Sequence, residues 1–152
     1  IRVMAQADSS KRLSPFRSKD SITEPLARAE EVMELLDLTD LADRSASDLS
    51  HGQQRMLEIG LTLAIDPEIL MFDEPTAGMS QEETQEMVDL LDELKSEYTI
   101  FLVEHDMDVV MSLSDRISVL HYGDIIDEGT PETIRDSEVV NEAYFGGDEL
   151  YA

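Results

Sequence analysis

The chain reads as an α/β protein built around a parallel sheet. Two short apolar runs, Ile69–Phe72 and Thr99–Val103, are too brief to be helices of their own and predict buried strands. Longer stretches with apolar residues at helical spacing lie between and around them, so strands and helices alternate. The first run ends in adjacent carboxylates, Asp73-Glu74, followed by Pro75. A strand that stops this way delivers its last residues to the rim where α/β sheets bind ligands.

The elements follow in order. Ile1 to Ala7 is a short apolar stretch, and the polar, basic residues around Ser9, Lys11, Arg12, Pro15, Arg17 and Lys19 predict a loop. A helix is expected from about Thr23, with Pro25 in its first turn, where a missing N–H costs nothing. Leu26, Ala29, Met33 and Leu36 recur at helical spacing as its buried face. Leu38 and Leu41 add a second short apolar piece ending near Asp43, and residues 44–48 form a polar connector. Ser50 predicts the N-cap of a helix to about Ala64, with Met56, Ile59 and Leu63 on one face, stopped by Asp66-Pro67.

Thr76–Met79 reads as a loop after the first strand. Ser80 with Glu83 spells a capping box for a long helix to about Glu97, whose apolar face is Met87, Leu90, Leu91 and Leu94. After the second strand, Asp106–Leu113 is expected to be helical and Arg116–Leu120 a third strand. Tyr122-Gly123-Asp124 turns it into a hairpin with Ile125–Asp127. Two short helices are expected, one after Thr130-Pro131 and one around Glu138–Tyr144. There is no internal repeat and no low-complexity segment.

The charge balance narrows the partners. The 152 residues hold 35 acidic and 11 basic side chains, a net charge of -24, spread along the chain rather than gathered in a tail. Nucleic acid and anionic lipid need clustered Lys and Arg, so neither is expected as a direct partner. Dense like charge suits a high-salt cytoplasm, where repulsion is screened over a few ångströms. Without cysteine, disulfides and thiolate metal sites are excluded. No apolar run approaches the roughly 20 residues that span a bilayer, and no secretory signal is visible in residues 1–20. A first residue of Ile rather than Met fits a piece of something longer.

Three sites carry chemistry. At the end of a buried strand, the Asp73 carboxylate can hold Mg²⁺ through its water shell, while Glu74 can polarise a water attacking a γ-phosphate. Leu49-Ser50-His51-Gly52-Gln53 starts a helix, whose free N–H groups and positive dipole end suit phosphate. Ser50 adds a hydroxyl, and Gly52 permits close backbone approach. His105, after the second strand, offers an imidazole that donates and accepts near neutral pH; His121 has no such context.

These runs, in this order and spacing, resemble the signature and Walker B motifs of ABC-type ATPases, the nucleotide-binding subunits of ABC transporters. Within that family the chain is similar to the branched-chain amino acid importer subfamily, through Leu57-Glu58-Ile59, Asp73-Glu74-Pro75-Thr76-Ala77-Gly78-Met79, Val103-Glu104-His105-Asp106-Met107 and Glu142-Ala143-Tyr144-Phe145-Gly146-Gly147. A urea importer subfamily shares Ser50-His51-Gly52 and Leu57-Glu58-Ile59-Gly60, and it too tends to be apolar where Met56 and Leu61 stand.

The resemblance implies the C-terminal part of a P-loop NTPase fold. Residues 1–48 would be part of the helical subdomain, 49–115 the ATPase core and 116–152 a C-terminal hairpin with helices. It implies ATP and Mg²⁺ as ligands, Glu74 and His105 as catalytic residues, Asp73 on the metal, and Ser50, His51, Gly52 and Gln53 on the nucleotide of a second subunit. Ala77, Gly78, Met79 and Ser80 match the loop that couples the two subunits, with Ser80 where Asp or Asn is usual. The implied partners are a second ATPase subunit and integral membrane permease subunits, at the cytoplasmic face of the membrane. No G-x-x-x-x-G-K-[ST] phosphate loop occurs in these residues, so the chain alone is expected to be inactive. The alternative is a truncated, non-catalytic interaction module.

Overall fold

A computed structural model describes Ile1, Met4–Ala5 and residues 20–144, apart from the side chains of residues 20–24. The loop expected before residue 20 and the tail beyond Tyr144 fall largely outside the described residues. The chain divides into two units, Ile1–Val103 and Glu104–Ala152.

In the first unit, helix α1 (Asp20–Leu35) starts a few residues earlier than expected, so Pro25 lies inside it rather than in its first turn. The buried side of α1 is Pro25, Ala29 and Val32, continued by Leu36 just past its end; Leu26 and Met33 are half-buried. The buried stripe is therefore rotated slightly from the one expected. Short 3₁₀ turns at Thr39–Leu41 and Ala46–Asp48 lead into helix α2 (His51–Leu63), which ends on Ala64 as expected. Gly60 marks the close approach of α1 and α2: a Cβ there would lie 2.7 Å from Leu36 Cδ1. Arg28 ties the same helices together by donating to the Leu63 carbonyl (3.1 Å) and the Tyr98 hydroxyl (3.0 Å).

Strand β1 (Ile69–Asp73), helix α3 (Gln81–Leu94) and strand β2 (Thr99–Val103) form a β-α-β unit with the strands parallel and paired Ile69 to Thr99 through Asp73 to Val103. The α3 face is the expected one, with Met87, Leu90, Leu91 and Leu94 all buried. The helix stops at Leu94 because Lys95, Ser96 and Glu97 close a turn through Leu91, Glu93 and Leu94 carbonyls. The expectation of two buried strands holds for one face only. Leu70 is 1% exposed, but Ile69 and Met71 point the other way and are open. A continuous apolar run does not disclose which of its alternating faces is covered.

In the second unit, helix α4 (Met107–Leu113) leads to a hairpin of β3 (Ile117–His121) and β4 (Asp124–Gly129), then helices α5 (Pro131–Arg135) and α6 (Glu138–Tyr144). The antiparallel pairing slips between Val119 and Leu120. Ile117, Val119, Ile134 and Val140 form its core, with Met107, Val110, Met111 and Ile126 packed around them. β3 has the expected length shifted by one residue, and β4 runs longer at both ends than the sequence suggests.

Candidate functional site

The site in the first unit is assembled from two helix starts and one strand end. Ser50 stands in extended conformation and caps α2 reciprocally: its hydroxyl accepts the Gln53 amide (3.2 Å) and its amide donates to Gln53 Oε1 (3.1 Å). Gln53, a candidate nucleotide contact, is thus engaged in the cap. Ser80 and Glu83 repeat the device at α3, with the Glu83 amide on the Ser80 hydroxyl (3.3 Å) and the Ser80 amide on Glu83 Oε2 (2.9 Å). The two starts are neighbours, because a Cβ on Gly52 would lie 2.8 Å from Glu83 Oε1. The Ser80 amide and hydroxyl hold the Glu83 carboxyl below the usual glutamate range, and His51 lowers it further.

Asp73 ends β1 opposite Val103. Glu74 follows in the left-handed region, φ 46°, with its amide donating to the Val103 carbonyl (2.8 Å). That backbone turn, unusual for a residue with a Cβ, lifts the chain off the sheet at the two carboxylates. Pro75 and Thr76 are buried behind it, and bonds from Ala77 to Glu74 and Met79 to Thr76 tighten the loop around Gly78, φ 76°.

His51, Gln54, Arg55, Glu58, Glu74, Pro75 and Ala77 line one cleft of about 220 Å³. The structure therefore brings the candidate residues His51, Glu74 and Ala77 to a single surface, with Ser50, Gly52 and Ser80 at the adjoining helix starts. Arg55 and Glu58 are residues that sequence reasoning missed. Arg55 bridges Glu58 (2.8 Å) and donates to the Asp73 carbonyl (3.3 Å), joining α2 to the end of β1. Their signal was available: positions 51, 54, 55 and 58 fall on one helical face.

Asp73 is exposed, and among the described residues no cluster of three or more His, Cys, Asp or Glu could cage a metal. A single open carboxylate at a strand end fits Mg²⁺, which keeps several waters and commonly takes one or two carboxylates plus substrate oxygens.

His105 belongs to the second unit. Its side chain is 72% exposed, whereas that of the preceding Glu104 is 1% exposed. The His105 amide donates to Glu104 Oε2 (3.1 Å), and Asp106 caps α4 through the Asp108 and Val109 amides. Glu104 orders the backbone just before an outward-facing imidazole.

A β-α-β core with paired carboxylates at the strand end and a Ser-capped helix beside them is the arrangement of a nucleotide-binding α/β domain. A family profile described as "ABC transporter" matches residues 1–77, and the chain belongs to the ABC transporter family. It is 46% identical over 133 residues to the high-affinity branched-chain amino acid transport ATP-binding protein LivG of Escherichia coli, covering 86% of this chain and 51% of that protein. Similarity to BraF of Pseudomonas aeruginosa, which carries the same description, is 47% over 116 residues, covering 75% and 46%. Among solved structures, the ADP conformation of an ATP-binding cassette of an ABC transporter aligns with TM-score 0.72 and 30% identity, covering 90% of this chain and 54% of that one. A putative metal-chelate type ABC transporter in an inward-facing conformation aligns with TM-score 0.76 at 20% identity over 94% and 57%, a likeness of fold. The chain spans about half the length of the curated relatives it matches.

Proposed function

We propose that the chain is part of the ATP-binding and ATP-hydrolysing subunit of an ABC importer for branched-chain amino acids. The observation that carries this is the meeting of His51, Glu74 and Ala77 in one cleft beside the Ser50 cap, in a chain 46% identical to LivG. Glu74 takes the role of general base toward a water. Asp73 holds Mg²⁺, which when bound offsets charge on phosphate oxygens. His105 contacts the γ-phosphate, and Ser50, His51 and Gly52 present the α2 start to a nucleotide held by a second ATPase subunit. Ala77–Ser80 couples the two sites. Permease subunits complete the complex at the cytoplasmic membrane face; no helix among the described residues is long and apolar enough to cross a membrane itself.

Without a phosphate-loop lysine in these residues, the chain alone neither binds ATP tightly nor turns it over at a useful rate. The test belongs in the longer protein. There Glu74→Gln is expected to lower turnover by about 10²-fold or more while ATP still binds, as loss of a general base does; turnover at the parental rate refutes the assignment. The Ser50-His51-Gly52 form and the apolar Met56 and Leu61 favour a urea or amide importer as the second reading. Binding of leucine or urea by the cognate solute receptor separates the two.

A further inference from the structure

One peptide unit joins the two carboxylates at the end of β1, and it is gripped from both sides. The Glu74 amide donates to the Val103 carbonyl at 2.8 Å. In a planar trans peptide the carbonyl points opposite to the amide, so the Asp73 carbonyl faces away from β2. Arg55 Nη2 donates to it there at 3.3 Å, while Nη1 of the same guanidinium donates to Glu58 Oε2 at 2.8 Å. The grip matters because Glu74 sits at φ 46°, a region that a Cβ disfavours. The Glu74 Cα–Cβ bond leaves from the carbon that follows this peptide. A fixed peptide plane and a fixed φ together set where the carboxylate projects.

We propose that Arg55 is a positioning residue for hydrolysis: through the Asp73 carbonyl it holds the Asp73–Glu74 peptide, and with it the direction of the Glu74 carboxylate. This role rests on the reading of Glu74 as the general base. Three features suit Arg55 to it. The guanidinium is a planar fork, so one side chain fixes a nitrogen on Glu58 and another on Asp73, which a lysine ammonium does not offer. Glu58 stands three residues further along α2 and orients the fork. Arg55 and Glu74 also line the same cleft, so the donor stands beside the group it positions.

Hydrogen exchange in this chain and kinetics in the longer protein test the proposal together. Arg55→Met keeps an apolar stem and removes the donor. It is expected to speed exchange of the Glu74 amide about tenfold, the low end for losing a hydrogen bond from a charged group. The Leu63 amide in α2 and the Leu91 amide in α3 are expected to keep their rates. Glu58→Gln leaves the donor to Asp73 in place, so there the Glu74 amide is expected to stay within about twofold of its parental rate. In the longer protein Arg55→Met is expected to lower kcat about tenfold with KM for ATP within about twofold, because the residue acts on the base and not on binding. An unchanged Glu74 amide in Arg55→Met overturns the proposal. So do Leu63 and Leu91 rates that rise with it, which mean general loosening, and so does equal acceleration in Glu58→Gln, which makes the ion pair the holding contact. An unchanged kcat in Arg55→Met, in a protein that Glu74→Gln silences, overturns it too. Parental turnover in Glu74→Gln refutes the base assignment itself, and it is told apart from failure of the grip because the exchange rates involve no ATP.

Discussion

Gly60 sets the spacing of α1 and α2. An added methyl would meet Leu36 Cδ1 at 2.7 Å, Ile1 Cδ1 at 3.0 Å and Val32 Cγ1 at 3.4 Å. Two effects oppose each other in Gly60→Ala. Alanine gains about 1 kcal/mol of helix propensity, while overpacking a filled core costs about 1–3 kcal/mol. Leu36 and Val32 are both buried and have little room to give, so the clash wins. We expect a net loss of about 1 kcal/mol or somewhat more in urea unfolding; a stabilised variant would show that the helices can separate freely. Nothing in the sequence marked Gly60, because a helical glycine announces close approach only once its neighbour is known. Glu74 and His51 stood out as candidates from their adjacent residue types, and both line the cleft. Arg55 was not, because its partner on β1 is a backbone carbonyl.

Caps and turns decide the elements. Ser80→Ala removes the acceptor for the Glu83 amide and is expected to cost about 1 kcal/mol, read as a lower denaturation midpoint. The depressed Glu83 carboxyl contributes stability that is complete above the ordinary glutamate pKa and is lost as pH falls through its lowered value. Glu83→Gln is therefore expected to flatten the acid limb of the stability profile while leaving its shape above about pH 6 unchanged. In the hairpin, Tyr122 (φ 49°) and Gly123 (φ 91°) both adopt left-handed backbone. Such two-residue turns favour Asn-Gly, so Tyr122→Asn is expected to stabilise the second unit by about 0.5–1 kcal/mol, seen as a raised melting temperature. The Ser80 capping box was readable from its Ser-x-x-Glu spacing, and Ser50 was readable as an N-cap, but not the reciprocal bond from Gln53. The early start of α1 was not, because Pro25 suggests a helix beginning and here lies inside one, its ring buried.

Across the whole molecule, charge is the dominant quantity. A net charge of -24 on 152 residues repels itself at neutral pH, and the Debye length shrinks from about 10 Å at 0.1 M salt to about 3 Å at 1 M. We expect the melting temperature to rise steadily with KCl over that range, and a flat or falling trend would remove the high-salt reading. Acid acts in the other direction. Ser137 and the Glu128 amide lower Asp127, Arg116 and Ser118 lower Glu128, and the Glu132 amide and Thr130 hydroxyl lower Glu132. Folded carboxyls that hold protons less tightly than unfolded ones make stability fall as pH drops through their lowered values. The α/β class and the order of the main elements were legible from apolar periodicity together with cap and turn residues. The division at Val103 and Glu104 was not, since no proline or glycine marks it and the polar Glu104-His105-Asp106 read as a candidate site and a helix start.

With Glu74 as the proposed general base, its left-handed backbone sets durability against turnover. Glycine would occupy φ 46° without the penalty that a Cβ brings there, so Glu74→Gly is expected to unfold at higher denaturant, by about 1 kcal/mol, and to be catalytically dead in the longer protein. A sequence tuned only for thermodynamic robustness would place glycine at the end of β1; this chain keeps an acid there and carries the strain. On that proposal, screens that rank variants of the longer protein by thermal tolerance are expected to enrich the very change that removes its base.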